Sequence, residues 1–234
     1  MCWAGQNQLE MLGNTANVWK VSLRDMPYVI SQKLPGATTV AATMRIASIA
    51  GIKIFVTGGL GGVHRGAETS MDISADLFEM AHTNVAVISA GVKSILDIGL
   101  TLEYLETEGV PVVTFGQDEF PAFYSRKSGY QSPLRMDDPE MIADMLRIKW
   151  QLGLNGSVMI ANPVPESLEV PYEKMEGFIR EALADAAKAG IDGKRLTPFL
   201  LKTIAEKTGG ESLAANIALV KNNARLGAQI AVCY

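Results

Sequence analysis

Lys93 closes the run Ser89-Ala90-Gly91-Val92-Lys93-Ser94, where an amine follows an almost wholly apolar stretch and precedes an apolar helical pattern. Burial disfavours the ammonium form and leaves a neutral nucleophile that can form a Schiff base with a sugar or another carbonyl. A lysine at a helix start can equally extend its ammonium into water, and spacing alone does not choose between the two. Asp97, four residues on, is a candidate partner for the amine.

Two other segments have chemistry-bearing composition. Gly58-Gly59-Leu60-Gly61-Gly62-Val63-His64-Arg65-Gly66 holds five glycines in nine residues, with His64 and Arg65 as added donors. Glycine lets backbone amides approach an anion, so the stretch is either a phosphate-binding loop or a flexible turn. No Gly-Lys-Ser/Thr follows, and the spacing does not lead directly into a helix as a dinucleotide fingerprint requires. Ser70 to Leu77 puts Asp72 and Asp76 four apart around a helix start. Carboxylates there can serve a hard divalent ion, and Ser74 with the first-turn amides can hold phosphate or sugar oxygens; capping by Ser74 or Asp72 explains the same residues. His82 fits packing or solvent better than ligation. Asn216, with Asn222 and Asn223 beyond it, puts amides inside a helix, where they face a ligand or hydrogen-bond a neighbouring loop.

The elements that must position these groups follow an α/β rhythm. Candidate strands are Gly51 to Thr57, Asn84 to Ala90, Pro111 to Phe115 and Ser157 to Ala161, mostly apolar, as strands covered on both faces are. Helical patterns fill Ala37 to Ala50, Ser74 to His82, Ile95 to Glu108 and Pro139 to Leu152, the last capped by Asp138. The final third reads as helices over Tyr172 to Ala189, Thr197 to Thr208 and Ser212 to Val232, punctuated by Gly190, Gly193, Gly209 and Gly210. Thr197 with Pro198 reads as a capped helix start. Phe120 to Gly129 reads as an exposed loop suited to a lid or a subunit contact, and plain loop packing explains it equally. The expected fold is a three-layer α/β/α domain with a mixed sheet and a helical C-terminal portion, one domain over 1–234. In such sheets ligands bind beyond the carboxyl ends of the strands, where Lys93 and the glycine segment fall.

Composition narrows the partners. At 48% hydrophobic and 20% charged, with net charge −4, the chain is neither disordered nor a basic nucleic-acid binder. Arg45 and Lys53 interrupt the most apolar region, so no membrane span is expected, and Met1 to Asn14 lacks a signal-peptide pattern. Cys2 and Cys233 cannot build a disulfide framework; a reducing, cytoplasmic setting is expected.

Taken together, the blocks resemble the pseudouridine-5′-phosphate glycosidase family, also known as the indigoidine-synthase-A-like proteins. The resemblance rests on Lys20-Val21-Ser22, Gly36-Ala37-Thr38-Thr39-Val40-Ala41, Thr57 to Gly66, Asp72 to Leu77, Lys93 to Asp97, Glu119 to Phe123, Ala161-Asn162-Pro163, Thr197 to Leu201 and Ser212 to Val220, in order from about residue 7 to the end. It implies reversible cleavage of the carbon-carbon glycosidic bond of pseudouridine 5′-phosphate to uracil and ribose 5-phosphate, with Mn2+ or a similar divalent cation and a homotrimeric assembly. By the family pattern Lys93 is the nucleophile: it attacks the anomeric carbon, the ribose ring opens to an iminium linkage as uracil departs, and hydrolysis frees Lys93. A C-glycoside has no lone pair on its leaving atom, which makes the two-carboxylate glycosidase route ineffective. The same pattern assigns substrate to Lys20, Val40, Ser74, Ala75 and Asp76, a water-mediated metal anchor to Asp72, and further ligand contacts to His64 and Asn216.

The family pattern also carries an earlier segment, a strand, helix and hairpin, with a glutamate as general acid. Glu10, the only acid before Lys20, does not align with it. Three readings follow: a shortened start, a variant using another acid, or an impaired homologue that binds sugar phosphate without turnover. An uncovered sheet edge and lower stability are expected with them. A Schiff-base aldolase acting on another sugar phosphate is the rival within the same chemistry.

Overall fold

The computed structural model describes residues 6–15, 18–191 and 195–234. Cys2 and Gly193, singled out above, lie outside the described residues. In chain order the elements are α1 (Gln6–Asn14), β1 (Trp19–Val21), α2 (Met26–Ser31), β2 (Gly36–Thr38), α3 (Val40–Ile49), β3 (Ile54–Val56), α4 (Ala67–Ser70), α5 (Ala75–His82), β4 (Ala86–Ser89), α6 (Ile98–Thr107), β5 (Val112–Phe115), β6 (Leu134–Met136), α7 (Pro139–Gln151), β7 (Met159–Ala161), α8 (Tyr172–Lys188), α9 (Leu196–Lys207) and α10 (Glu211–Cys233).

The four expected strands, joined by β6 at one edge, form a five-stranded sheet in the order β3-β4-β7-β5-β6, and β1 pairs with β2 apart from it. Every pairing between these strands is parallel, where the sequence suggested a mixed sheet. The reason is connectivity. In the five-stranded sheet the chain crosses over between paired strands through helices or long loops, and no tight hairpin brings a strand back antiparallel. β4 and β7 are buried throughout, which accounts for their unbroken apolar sequence.

Alternation along the strands divides the core between two faces. Ala86, Ile88, Val113 and Ile160 pack with Ile142, Ala143 and Leu146 of α7 and Leu226 and Ile230 of α10. Val87, Val112, Met159 and Ala161 turn the other way, towards a cluster with side chains of α3, α5 and α6 that also takes in α8 and α9. Helices on both faces give the expected three layers. Gly227 of α10 sits where a Cβ would overlap Val56, so the helix lies directly on edge strand β3.

Two further expectations are corrected. Phe120, Ala122, Phe123, Tyr124 and Ser125 are buried, so this segment is core and not an exposed lid. It enters because glycines make room: a Cβ on Gly59 would lie 2.5 Å from the Phe123 ring, and one on Gly91 2.5 Å from the Pro121 carbonyl. Helix α9 begins at Leu196, one residue before Thr197, which is therefore not its cap. Pro198 still falls in the first turn, where its missing N–H has no acceptor to lose. Asp138 does cap α7, accepting the Glu140 N–H at 2.9 Å.

Candidate active site

The glycine segment continues the sheet. Ala90 N–H donates to the Gly58 carbonyl at 2.9 Å, Leu60 N–H to Gly91 at 3.1 Å, and Lys93 N–H to Leu60 at 3.1 Å. Residues 58–60 thus run alongside 90–93, fixing the backbone of Lys93 beyond the end of β4. The chain then closes a turn, Leu96 N–H to the Lys93 carbonyl, before α6 starts.

Helix α5 approaches from the side. Ser74 is its cap, accepting the Asp76 N–H at 3.2 Å, while Ser74 N–H donates to the Gly62 carbonyl at 3.1 Å. Asp76 is buried and uses both carboxylate oxygens: Oδ1 accepts the Ala41 N–H at 2.9 Å and Oδ2 the Gly61 N–H at 2.8 Å. One side chain thereby joins the start of α3, beside Val40, to the glycine loop. Gly61 must be glycine for this, since a Cβ there would overlap Ser74 Oγ and lie 2.7 Å from Asp76 Oδ2. Deeper in α5, Glu79 is fully buried, held by Arg45 of α3 at 2.9 Å and by the Thr83 hydroxyl, so α3 and α5 are locked together below the site.

Lys93 is partly buried, and burial pushes its amine below the ordinary lysine value; the Asp76 carboxylate opposes the shift, and the charge of Lys20 adds to it. Lys20, Asp76 and Lys93, far apart in sequence, are therefore electrostatic neighbours. Asp97 is not the partner of Lys93. Its Oδ1 accepts the Leu100 N–H at 2.9 Å as the cap of α6, because residues 93–96 form a turn and four-residue spacing brings side chains together only within a helix.

His64 and Asp72 meet, with Nδ1 3.7 Å from Oδ2 and His64 N–H donating to the Asp72 carbonyl at 3.0 Å. Among the described residues no three histidine, cysteine, aspartate or glutamate side chains converge as a metal cage. Ala75 is exposed at the first position of α5, Lys20 is exposed on β1, and Val40 opens α3 behind its cap Thr39. Asn216 reaches in from α10, its Oδ1 3.5 Å from where a Cβ on Gly58 would sit. His82, bonded to the Phe78 carbonyl and stacked on the Phe78 ring, stays outside this cluster.

Sequence reasoning missed the group that ties the turn after Lys93 to the helical third. Arg65 donates to both oxygens of Glu176 on α8, at 2.6 and 2.9 Å, and to the Ser94 carbonyl at 3.1 Å. Glu176 raises the already high pKa of that guanidinium. Nothing local marks residues 65 and 176 as partners.

This geometry, a lysine of lowered pKa beside a glycine loop at the carboxyl ends of a parallel sheet, defines an α/β protein with its candidate site where such sheets take their ligands. The family model described as Indigoidine synthase A like protein matches residues 4–233, and the chain belongs to that family. It is 60% identical over 228 residues to the pseudouridine-5′-phosphate glycosidase of Nocardioides sp. (strain ATCC BAA-499 / JS614), covering 97% of this chain and 74% of that one. The protein of the same name from Deinococcus radiodurans is 59% identical, over 97% and 73% of the two chains. Among solved structures, the prealnumycin C-glycosynthase AlnA in complex with ribulose 5-phosphate superposes with a TM-score of 0.89 at 37% identity, over 97% of this chain and 76% of that one. An indigoidine synthase A-like protein from Thermotoga maritima also gives a TM-score of 0.89, at 39% identity and 97% and 75% coverage.

Proposed function

We propose that this chain is a pseudouridine-5′-phosphate glycosidase, cleaving the C-glycosidic bond reversibly to uracil and ribose 5-phosphate. The observation that carries the reading is Lys93: an amine whose proton is loosened by burial, with its backbone fixed beyond the end of β4 and its amine within the fields of Asp76 and Lys20. The names of the relatives in Nocardioides and Deinococcus, and the sugar phosphate held by the C-glycosynthase, support the substrate class.

The neutral amine of Lys93 forms a bond to the anomeric carbon as the bond from that carbon to the ring oxygen breaks, and the proton that the new ammonium nitrogen loses goes to that oxygen, restoring the nitrogen lone pair. The nitrogen lone pair then forms the iminium double bond while the carbon-carbon bond to uracil breaks, its electron pair taking a proton on the base. Water adds to the iminium, releasing ribose 5-phosphate and the free amine. In this reading Lys20 supplies cationic charge for the phosphate. The amides at the starts of α3 and α5, at Val40, Ser74 and Ala75, suit phosphate or sugar oxygens. Asp76 acts through the backbone it clamps and through its field on Lys93. His64 and Asn216 complete the ligand contacts.

The donor set around Asp72, one hard carboxylate oxygen with the His64 imidazole beside it, fits a cation that keeps most of its water, as Mn2+ or Mg2+ does. Asp72 would hold it through water, and its charge would neutralise substrate phosphate. A homotrimer completes the proposal.

The test is uracil release from pseudouridine 5′-phosphate, with and without manganese, by the chain and by Lys93→Ala. Release that is lost in Lys93→Ala supports the reading, and release that persists there removes Lys93 as nucleophile. Binding of ribose 5-phosphate without turnover would make the chain a sugar-phosphate-binding homologue instead.

A further inference from the structure

On the α10 side of the strand ends runs a chain of amides that the proposed mechanism does not use. Asn223 is fully buried; its Nδ2 donates to the Thr57 carbonyl at 2.9 Å and lies 3.4 Å from the Gly58 carbonyl. Carbonyl oxygens only accept, so the nitrogen of this amide must face them and its Oδ1 must face away. That Oδ1 accepts from Asn162 Nδ2 at 3.1 Å. The orientation of Asn162 is thereby fixed as well, with its nitrogen turned to Asn223 and its own Oδ1 turned from it. Among the described residues no donor meets that oxygen.

Asn162 is only 5% exposed and directly follows β7, the middle strand of the sheet. Its backbone N–H donates to the Ser89 carbonyl at 2.7 Å, four residues before Lys93. The Gly58 carbonyl beside Asn223 takes the Ala90 N–H. Both amides therefore attach to the strand ends that carry the nucleophile. Asn162 as a whole is nearly buried, but the buried side-chain atoms without a partner among the described residues are Ser94 Oγ and Thr114 Oγ1, so the Asn162 oxygen meets solvent and is open to a donor that a ligand brings.

The geometry points to Asn162 as a base-recognition residue whose Oδ1 accepts a ring N–H of the pyrimidine, with Asn223 as the positioning residue that holds the acceptor outward. This rests on the proposed function and extends it to the base. Uracil carries N–H groups at both N1 and N3, and the polarity of the chain, set at the Thr57 main-chain carbonyl, cannot invert to suit a base that presents an acceptor instead.

In the synthetic direction, with ribose 5-phosphate fixed and saturating, Asn162→Ala and Asn223→Asp are each expected to raise KM for uracil about tenfold, the size of one lost hydrogen bond to a desolvated group. The double variant is expected to be no worse than either single one, since the two act in series. Borohydride trapping of ribose 5-phosphate on Lys93 should keep its yield in all three. An unchanged uracil KM with trapping intact would overturn the assignment, and so would trapping and turnover lost in parallel, the mark of a purely structural pair. On the unsubstituted chain, 1-methyluracil and 3-methyluracil serve as competitors that need no variant to fold: at least one should compete at least tenfold more weakly than uracil, and equal competition by both would overturn the proposal. If the unsubstituted chain forms no Lys93 adduct and turns over no uracil, the functional reading itself falls and takes base recognition with it.

Discussion

At the scale of single residues, Lys93 sets the pH behaviour. Its folded-state pKa is depressed, chiefly by burial, so between that value and the unfolded 10.5 the unfolded chain holds more protons and stability rises with pH. The penalty stands in full below the folded value. Lys93→Met should therefore resist denaturant better than the parent at neutral pH, with the gap closing as pH passes 10.5. A gap of the opposite sign, measured by urea unfolding across pH, would contradict a desolvated amine. Gly61→Ala should lose about 1–3 kcal/mol, because the added methyl drives Ser74 and Asp76 apart; urea unfolding measures the loss, and weaker ribose 5-phosphate binding should accompany it. The setting of Lys93, a cation after an apolar strand, was legible from sequence because it is local, although spacing alone left a solvated ammonium as an equal reading and the nucleophile role came from the family resemblance. Asp76 as a double backbone acceptor and Asp97 as a helix cap were not, since both depend on which segments the fold brings alongside.

At the scale of elements, the Arg65–Glu176 pair joins the glycine loop to α8. Both side chains are partly exposed, at 33% and 22%, so solvent screens the attraction, and Glu176→Ala should cost about 1 kcal/mol in global stability. Faster amide exchange at the start of α8 is the more specific sign, and unchanged exchange there would mean the pair holds nothing. The long elements were readable. The patterns for α5, α7, α8 and α10 fall within a residue or so of their observed limits, because apolar periodicity and the Asp138-Pro139 start are strong local signals. β1, β2 and β6 were not read: each is three residues long, and six of their nine residues are exposed, leaving little apolar alternation to see. Phe120 to Ser125 read as surface because its aromatics are mixed with turn residues; its burial depends on gaps left by Gly59 and Gly91 elsewhere in the chain.

At the scale of the whole molecule, the amide and carboxylate clamps at Asp76, Glu79, Arg65 and Asn223 draw α3, α5, α8 and α10 onto one end of the parallel sheet. No helix among the described residues is long and apolar enough to cross a membrane. Large apolar side chains stay exposed at Ile49 and Leu152, surface that an assembly could cover. The proposed homotrimer predicts a sedimenting species of three 25.2 kDa chains, and a monomer at micromolar concentration would contradict it. The central claim is covalent chemistry at one amine. Its most direct test is mass spectrometry of the intact chain after incubation with ribose 5-phosphate, manganese and borohydride, followed by peptide mapping. The account predicts a single reduced sugar-phosphate adduct on Lys93, and an adduct on another lysine, or none, would contradict it.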